Sequence, residues 1–200
     1  MRRRFGLAFL SLVWLLAFEL PASACACCSN RGSRVVATEK LDTVRMAALD
    51  QMVFGKAAQL YIGESDGEET LVDGFGSTYA LEVDRQKGRI VFTLRNNKGQ
   101  PGTATLAIPK TISIFEVDPH GDSKDEGLGP NLYKEWKLTA PAAVTGILRR
   151  TGGPRATMSL ILHGGGRGCT EATHFTHWTL QIKRPKGETI FFGPLESAAQ

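Results

Sequence analysis

The chain has 200 residues, 42% of them hydrophobic and 22% charged, with 22 glycines and 9 prolines. That composition excludes a disordered polyelectrolyte, a collagen and a multi-pass membrane protein, and the length fits one domain or at most two small ones. A formal charge of +4 is a weak argument for nucleic acid, and part of it belongs to the first few residues.

Met1-Arg2-Arg3-Arg4 is a compact basic start, followed by the apolar run Phe5–Phe18. The run is too short for a bilayer span of about 20 residues but suits the core of a signal peptide. Pro21 ends it, and Ala22-Ser23-Ala24 supplies small residues for a signal peptidase. The pattern predicts a signal peptide over 1–24, cut between Ala24 and Cys25, and a protein exported to the periplasm or beyond. Two variants stay open: a twin-arginine reading of Arg2-Arg3-Arg4-Phe5, and a loose lipobox at Ala22–Cys25 with a lipid anchor on Cys25. Losing Arg2, Arg3, Arg4 and Glu19 lowers the formal charge from +4 to +2. Nucleic acid is therefore not an expected partner.

Residues 25–40 read as a cysteine-bearing tail, and 41–200 as a single β domain. All four cysteines, Cys25, Cys27, Cys28 and Cys169, survive the predicted cut. In an oxidising compartment Cys169 is expected to pair with Cys27 or Cys28. Such a bridge closes a loop of about 140 residues, worth about 4–5 kcal/mol on chain-entropy grounds.

Leu41, Val44, Ala48, Leu49, Met52 and Val53 recur with helical spacing after Asp42, a suitable N-cap, and Gly55 marks the stop. Beyond it the period becomes two. Alternation places strands around Tyr79–Val83, Ile90–Leu94, Ala104–Ile108, Leu132–Leu138, Met158–Leu162 and Thr176–Ile182. Further strands are expected over 57–63, 69–73, 111–117, 143–150 and 188–193. Ser65-Asp66-Gly67, Lys87-Gly88, Asn97-Lys98-Gly99, Gly152-Gly153-Pro154 and Lys186-Gly187 supply turn chemistry between runs. Pro101, Pro109 and Pro141 are expected at strand ends. The predicted fold is all-β: an antiparallel meander of about ten strands, preceded by one short helix, forming a barrel or a two-sheet sandwich. Short connections favour the barrel.

The longest irregular stretch, Asp118–Asn131, holds four acidic residues but no EF-hand spacing, and reads as a solvated loop. Gly63-Glu64-Ser65-Asp66-Gly67 and His163-Gly164-Gly165-Gly166 resemble, piecemeal, the two signatures of a serine hydrolase. Their order is reversed, and Ser65 leads into strand-like residues instead of a helix. A hydrolase is therefore the remote alternative, and no catalytic residue is assigned. His163, Cys169, His174 and His177 fall within fifteen residues and suit zinc or copper. Strict strand alternation separates His174 from His177, and Cys169 is wanted for a cystine, so this metal site is the alternative and not the leading reading. No cofactor is implied.

The glycine run Gly164–Gly168 reads as a loop around Arg167, able to bring backbone close to an anionic ligand. Trp136, Trp178 and Lys134 share the apolar face, where they would line a cavity or fill a core. An interior Lys134 needs a charged partner or water. The candidate binding residues are thus Arg167, Lys134, Trp136 and Trp178. The expected function is an exported, non-enzymatic barrel that binds a small apolar ligand or a protein partner, touching membrane only through an anchor at Cys25.

Overall fold

The computed structural model describes residues 34–61, 77–117, 132–149, 155–166, 175–185 and 187–196. In chain order they form β1 (Arg34–Lys40), α1 (Thr43–Gln51), β2 (Val53–Phe54), β3 (Ala57–Tyr61), β4 (Thr78–Gln86), β5 (Arg89–Arg95) and β6 (Pro101–Ala107). There follow β7 (Thr111–Val117), β8 (Leu132–Val144), a 3-10 turn (Gly146–Arg149), β9 (Arg155–Gly166), β10 (Phe175–Arg184) and β11 (Gly187–Glu196). Eight strands close an antiparallel barrel in the order β8-β6-β5-β4-β3-β11-β10-β9, and β9 returns to β8. The barrel is favoured over the sandwich, and the β8–β9 ladder, running from Leu132↔Gly166 to Ala143↔Arg155, decides it. β7 and then β1 extend outward from β8, and β2 pairs with β11.

The alternation read from sequence places the core. Ile90, Phe92 and Leu94 point inward from β5, Met158, Leu160 and Leu162 from β9, and Trp178, Leu180 and Ile182 from β10. Two hairpins turn on glycines that need positive φ, Gly88 at +74° and Gly99 at +72°. Asp42 caps α1 as expected, its Oδ1 accepting the Arg45 N–H at 2.9 Å.

Four local expectations change. Residues 34–40, assigned to a tail, form β1, paired along its whole length with β7. Pro141 stands inside β8 and not at its end. β7 pairs with Tyr133–Lys137 and β6 with Ala142–Val144, so both lie end to end on one edge of β8. Pro141 falls in the unpartnered gap between them, where an absent N–H costs no bond on that side. The strand expected over 143–150 is instead the last two residues of β8 followed by the 3-10 turn. Gly164–Gly166, expected in a loop, continue β9 against Leu132–Lys134, because the ladder satisfies their backbone groups whatever their weak strand propensity. The strand expected over 69–73 and the turns at Ser65 and Gly152 lie outside the described residues.

Each barrel end is closed from within the chain. At one end α1 contributes Ala48 and Leu49 to the core, joined by Met52 and Phe54. Arg85, from the end of β4, donates to the Met52 carbonyl and lies over the Phe54 ring, 5.5 Å from its centre. At the other end the 3-10 turn buries Ile147 and Leu148 against Gly102, and the guanidinium of Arg184 donates to the Leu148 carbonyl at 2.6 Å. Between these caps Trp136, Trp178, Tyr79, Phe92 and Phe191 are fully buried. Trp178 packs on Phe54 and Phe92, Trp136 on Phe175, and Tyr79 edge-on to Phe191. These rings belong to one contiguous core together with the aliphatic side chains around them.

Candidate functional site on the outer face

Because successive strands align side chains in rows, three neighbouring strands place three polar residues side by side on the outer face. Glu135 of β8 lies directly opposite His163 of β9, which lies directly opposite His177 of β10. On the other side of β8 the same row continues through Phe115 of β7 to Val36 of β1.

The centre of the row is tightly connected. The Tyr133 hydroxyl donates to Glu135 Oε1 at 2.7 Å and stands 3.2 Å from His163 Nδ1. His163 Nδ1 is 2.9 Å from Glu135 Oε1, and its Nε2 is 2.9 Å from Thr179 Oγ1. A carboxylate only accepts, so Nδ1 carries the hydrogen, and in the neutral ring Nε2 accepts from the Thr179 hydroxyl. Partial burial, then the hydrogen bond to Glu135 and its negative charge, push the Tyr133 phenol up to about 12. Tyr133 therefore remains a neutral donor at physiological pH, not a nucleophile or base.

Beside this network opens a groove of about 300 Å³ lined by Val36, Ser113, Ile114, Phe115, Glu135 and Lys137. It combines an apolar floor with one carboxylate and one ammonium. Val36 is 65% exposed on it, and the Phe115 ring meets Tyr133 edge-on at 6.2 Å. These groups are suited to recognition: an aromatic surface, a carboxylate and an ammonium, with a histidine held in one tautomer beside them.

A second charged group lies on the inner side of the same strands. Lys134 is fully buried, as its parity with Trp136 requires, with Nζ 5.0 Å from the centre of the Phe175 ring. It stands directly across from Glu116 on β7, and the two attract. Burial raises the Glu116 carboxyl above its usual value, while Lys134 and Arg45 pull it down. Arg45 of α1 also pairs with Glu39 of β1 and, at 3.0 Å, with Asp42. The interior lysine thus has the charged partner that its position demands.

Of the residues singled out from sequence, Lys134, Trp136 and Trp178 lie together in the packed core, with Trp178 Nε1 donating to the Pro194 carbonyl at 3.1 Å. Arg167, Cys25, Cys27, Cys28, Cys169, His174, Ser65 and the Asp118–Asn131 loop lie outside the described residues, as do the predicted signal peptide and cystine. His163 and His177 are brought together. A register shift between Phe175 and His177 puts Phe175 inside with Trp178 and leaves Thr176 exposed beside His177. Strict alternation predicts the reverse for Thr176, and the bulge between Phe175 and His177 is what turns it outward. Among the described residues no group of three or more His, Cys, Asp or Glu side chains is arranged to hold a metal. Glu135, Tyr133, Thr179 and Phe115 were missed as site residues, since their partnership depends on registers between strands far apart in sequence.

Compared with known protein families, with curated proteins and with solved structures, the chain shows no match to any of the three. Its functional reading rests on its own geometry.

Proposed function

We propose that the protein is exported and acts without chemistry of its own, as a solid β-barrel that recognises a ligand on its outer face. The observation that carries this reading is the contrast between a barrel interior packed with Trp136, Trp178, Tyr79, Phe92 and Phe191 and the groove outside it. Those five rings take up interior space among the described residues, whereas a concave surface of mixed polarity is the usual form of a binding site. The ligand class that fits is a small molecule or peptide segment with an apolar body for Phe115 and Val36 and an anionic group for Lys137. The basic start, apolar run and small-residue cut site support export, either as a free protein with Cys169 bridged to Cys27 or Cys28, or lipid-anchored at Cys25.

The binding arm is tested by NMR titration with anilinonaphthalene sulfonate, an aromatic anion. Shifts are expected at Val36, Phe115 and Lys137 and should vanish in Phe115→Glu. Binding that survives this substitution and perturbs Trp136 and Trp178 would place the ligand inside the barrel and overturn the reading. Intact-mass analysis of protein from its native cell tests the export arm: a chain beginning at Cys25 is expected, and a retained Met1 or Arg2 refutes it.

A further inference from the structure

We infer that His163 and His177 form an open two-imidazole site for a late first-row divalent cation, Cu2+ in preference to Zn2+, with Glu135 as the positioning residue. The inference requires neither export nor occupation of the groove.

Three features of the outer face converge on it. First, His163 and His177 are directly opposite on adjacent antiparallel strands. Such pairs have Cβ atoms about 4.5–5.5 Å apart, a separation from which two rings can each reach an ion at about 2.0–2.1 Å. Second, His163 is already held in the form a ligand needs. Its Nδ1–H is engaged by Glu135 at 2.9 Å, which leaves the ring's lone pair on Nε2. A carboxylate on the remote ring nitrogen fixes the tautomer and raises the basicity of the ligating nitrogen. Third, that lone pair already points across to β10, where it accepts from Thr179, two residues beyond His177 on the same face.

His177 itself is exposed. Its Nδ1 lies 3.0 Å from Thr176 Oγ1, and its Nε2 has no hydrogen-bond partner among the described residues. Turning this ring costs one weak, solvent-exposed contact. With two protein ligands, the remaining coordination positions fall to water or to an incoming donor. Imidazole without thiolate places such a site on the ordinary divalent affinity order, in which Cu2+ outranks Ni2+ and Zn2+.

The test is titration of the full chain with Cu2+ or Zn2+ alone, after alkylation of free thiols so that cysteine sulfur cannot compete. One equivalent of Cu2+ is expected, with nitrogen hyperfine structure in its paramagnetic resonance spectrum. His177→Ala and His163→Ala should each weaken it by at least about tenfold, and Glu135→Gln by about tenfold. Thr179→Val separates a ligand role from a structural one. It removes the hydroxyl that occupies Nε2, so metal affinity should hold or rise although a hydrogen bond is lost. Because His177 is exposed, its alanine variant keeps the test sound even if His163→Ala fails to fold. Wild-type affinity in His177→Ala, or a loss of affinity in Thr179→Val, overturns the inference.

Discussion

Gly146 allows a controlled measurement of what closing the barrel is worth. It adopts φ +56°, and a Cβ built on it would stand 2.1 Å from the Pro101 carbonyl oxygen and 3.0 Å from Gly102 Cα. Gly88 and Gly99 share its left-handed conformation at +74° and +72°, but an added Cβ meets nothing within 4 Å at either. Alanine in that conformation costs about 1–2 kcal/mol at all three sites. At Gly146 the clash is with backbone, so the 3-10 turn must withdraw from β6. Withdrawal uncovers Ile147 and Leu148, now 5% and 1% exposed, each worth about 1.5–3 kcal/mol when fully buried. It also pulls the Leu148 carbonyl away from Arg184. Partial withdrawal therefore adds about 2–4 kcal/mol. Urea unfolding followed by tryptophan fluorescence should rank Gly146→Ala below Gly88→Ala and Gly99→Ala by that margin. Equal losses at all three sites would mean that the turn does not seal the barrel as described.

Two further outcomes concern titration. Phenolate absorbance of the protein minus that of Tyr133→Phe should place Tyr133 near 12, and Glu135→Gln should bring it down towards 10, stopping short because burial remains. Since the folded value lies above the unfolded one, Tyr133 contributes stability that is present below about pH 10 and lost as pH rises to about 12. Glu116 is likewise raised, chiefly by burial, so the folded state holds its proton longer and stability falls as pH rises between the unfolded and folded values. Glu116→Gln lacks that fall and should gain relative to the native protein in urea midpoints taken from about pH 4 to 7. A relative gain by the native protein instead would mean that Lys134 outweighs desolvation.

How far such features can be read without coordinates depends on whether they lie within one strand or between several. The alternation of Ile90, Phe92 and Leu94, or of Met158, Leu160 and Leu162, is a property of one segment facing one core, and it identified strands correctly. β1 escaped because its Val35-Val36 pair breaks the alternation and its inward Glu39 answers to Arg45 on α1, a partner no local pattern shows. Pro141 misled for a related reason: proline in a strand is tolerated where a neighbour is missing, and the gap between β6 and β7 appears only once both are laid along β8. Burial of Lys134 was legible from its parity with Trp136; its pairing with Glu116 was not. The row from Val36 to His177 draws one residue from each of five strands, so only their mutual register assembles it. The bulge before His177 changed which neighbours turn outward, an event local composition did not signal.

The β3–β11 ladder, which joins the two halves of the ring, also orders events in time. It holds three residue pairs, from Gln59↔Phe192 to Tyr61↔Ile190, between segments far apart in the chain. The β4–β5, β5–β6, β9–β10 and β10–β11 ladders join sequence neighbours and assemble cheaply. Joining β3 to β11 must absorb the entropy of a very long loop for little immediate gain. Sealing of the ring is therefore expected as the slow, late step of folding, with the exposed Tyr61–Phe192 ring pair on that seam on the unfolding side of the barrier: weakening it should hasten opening while leaving the refolding rate almost unchanged.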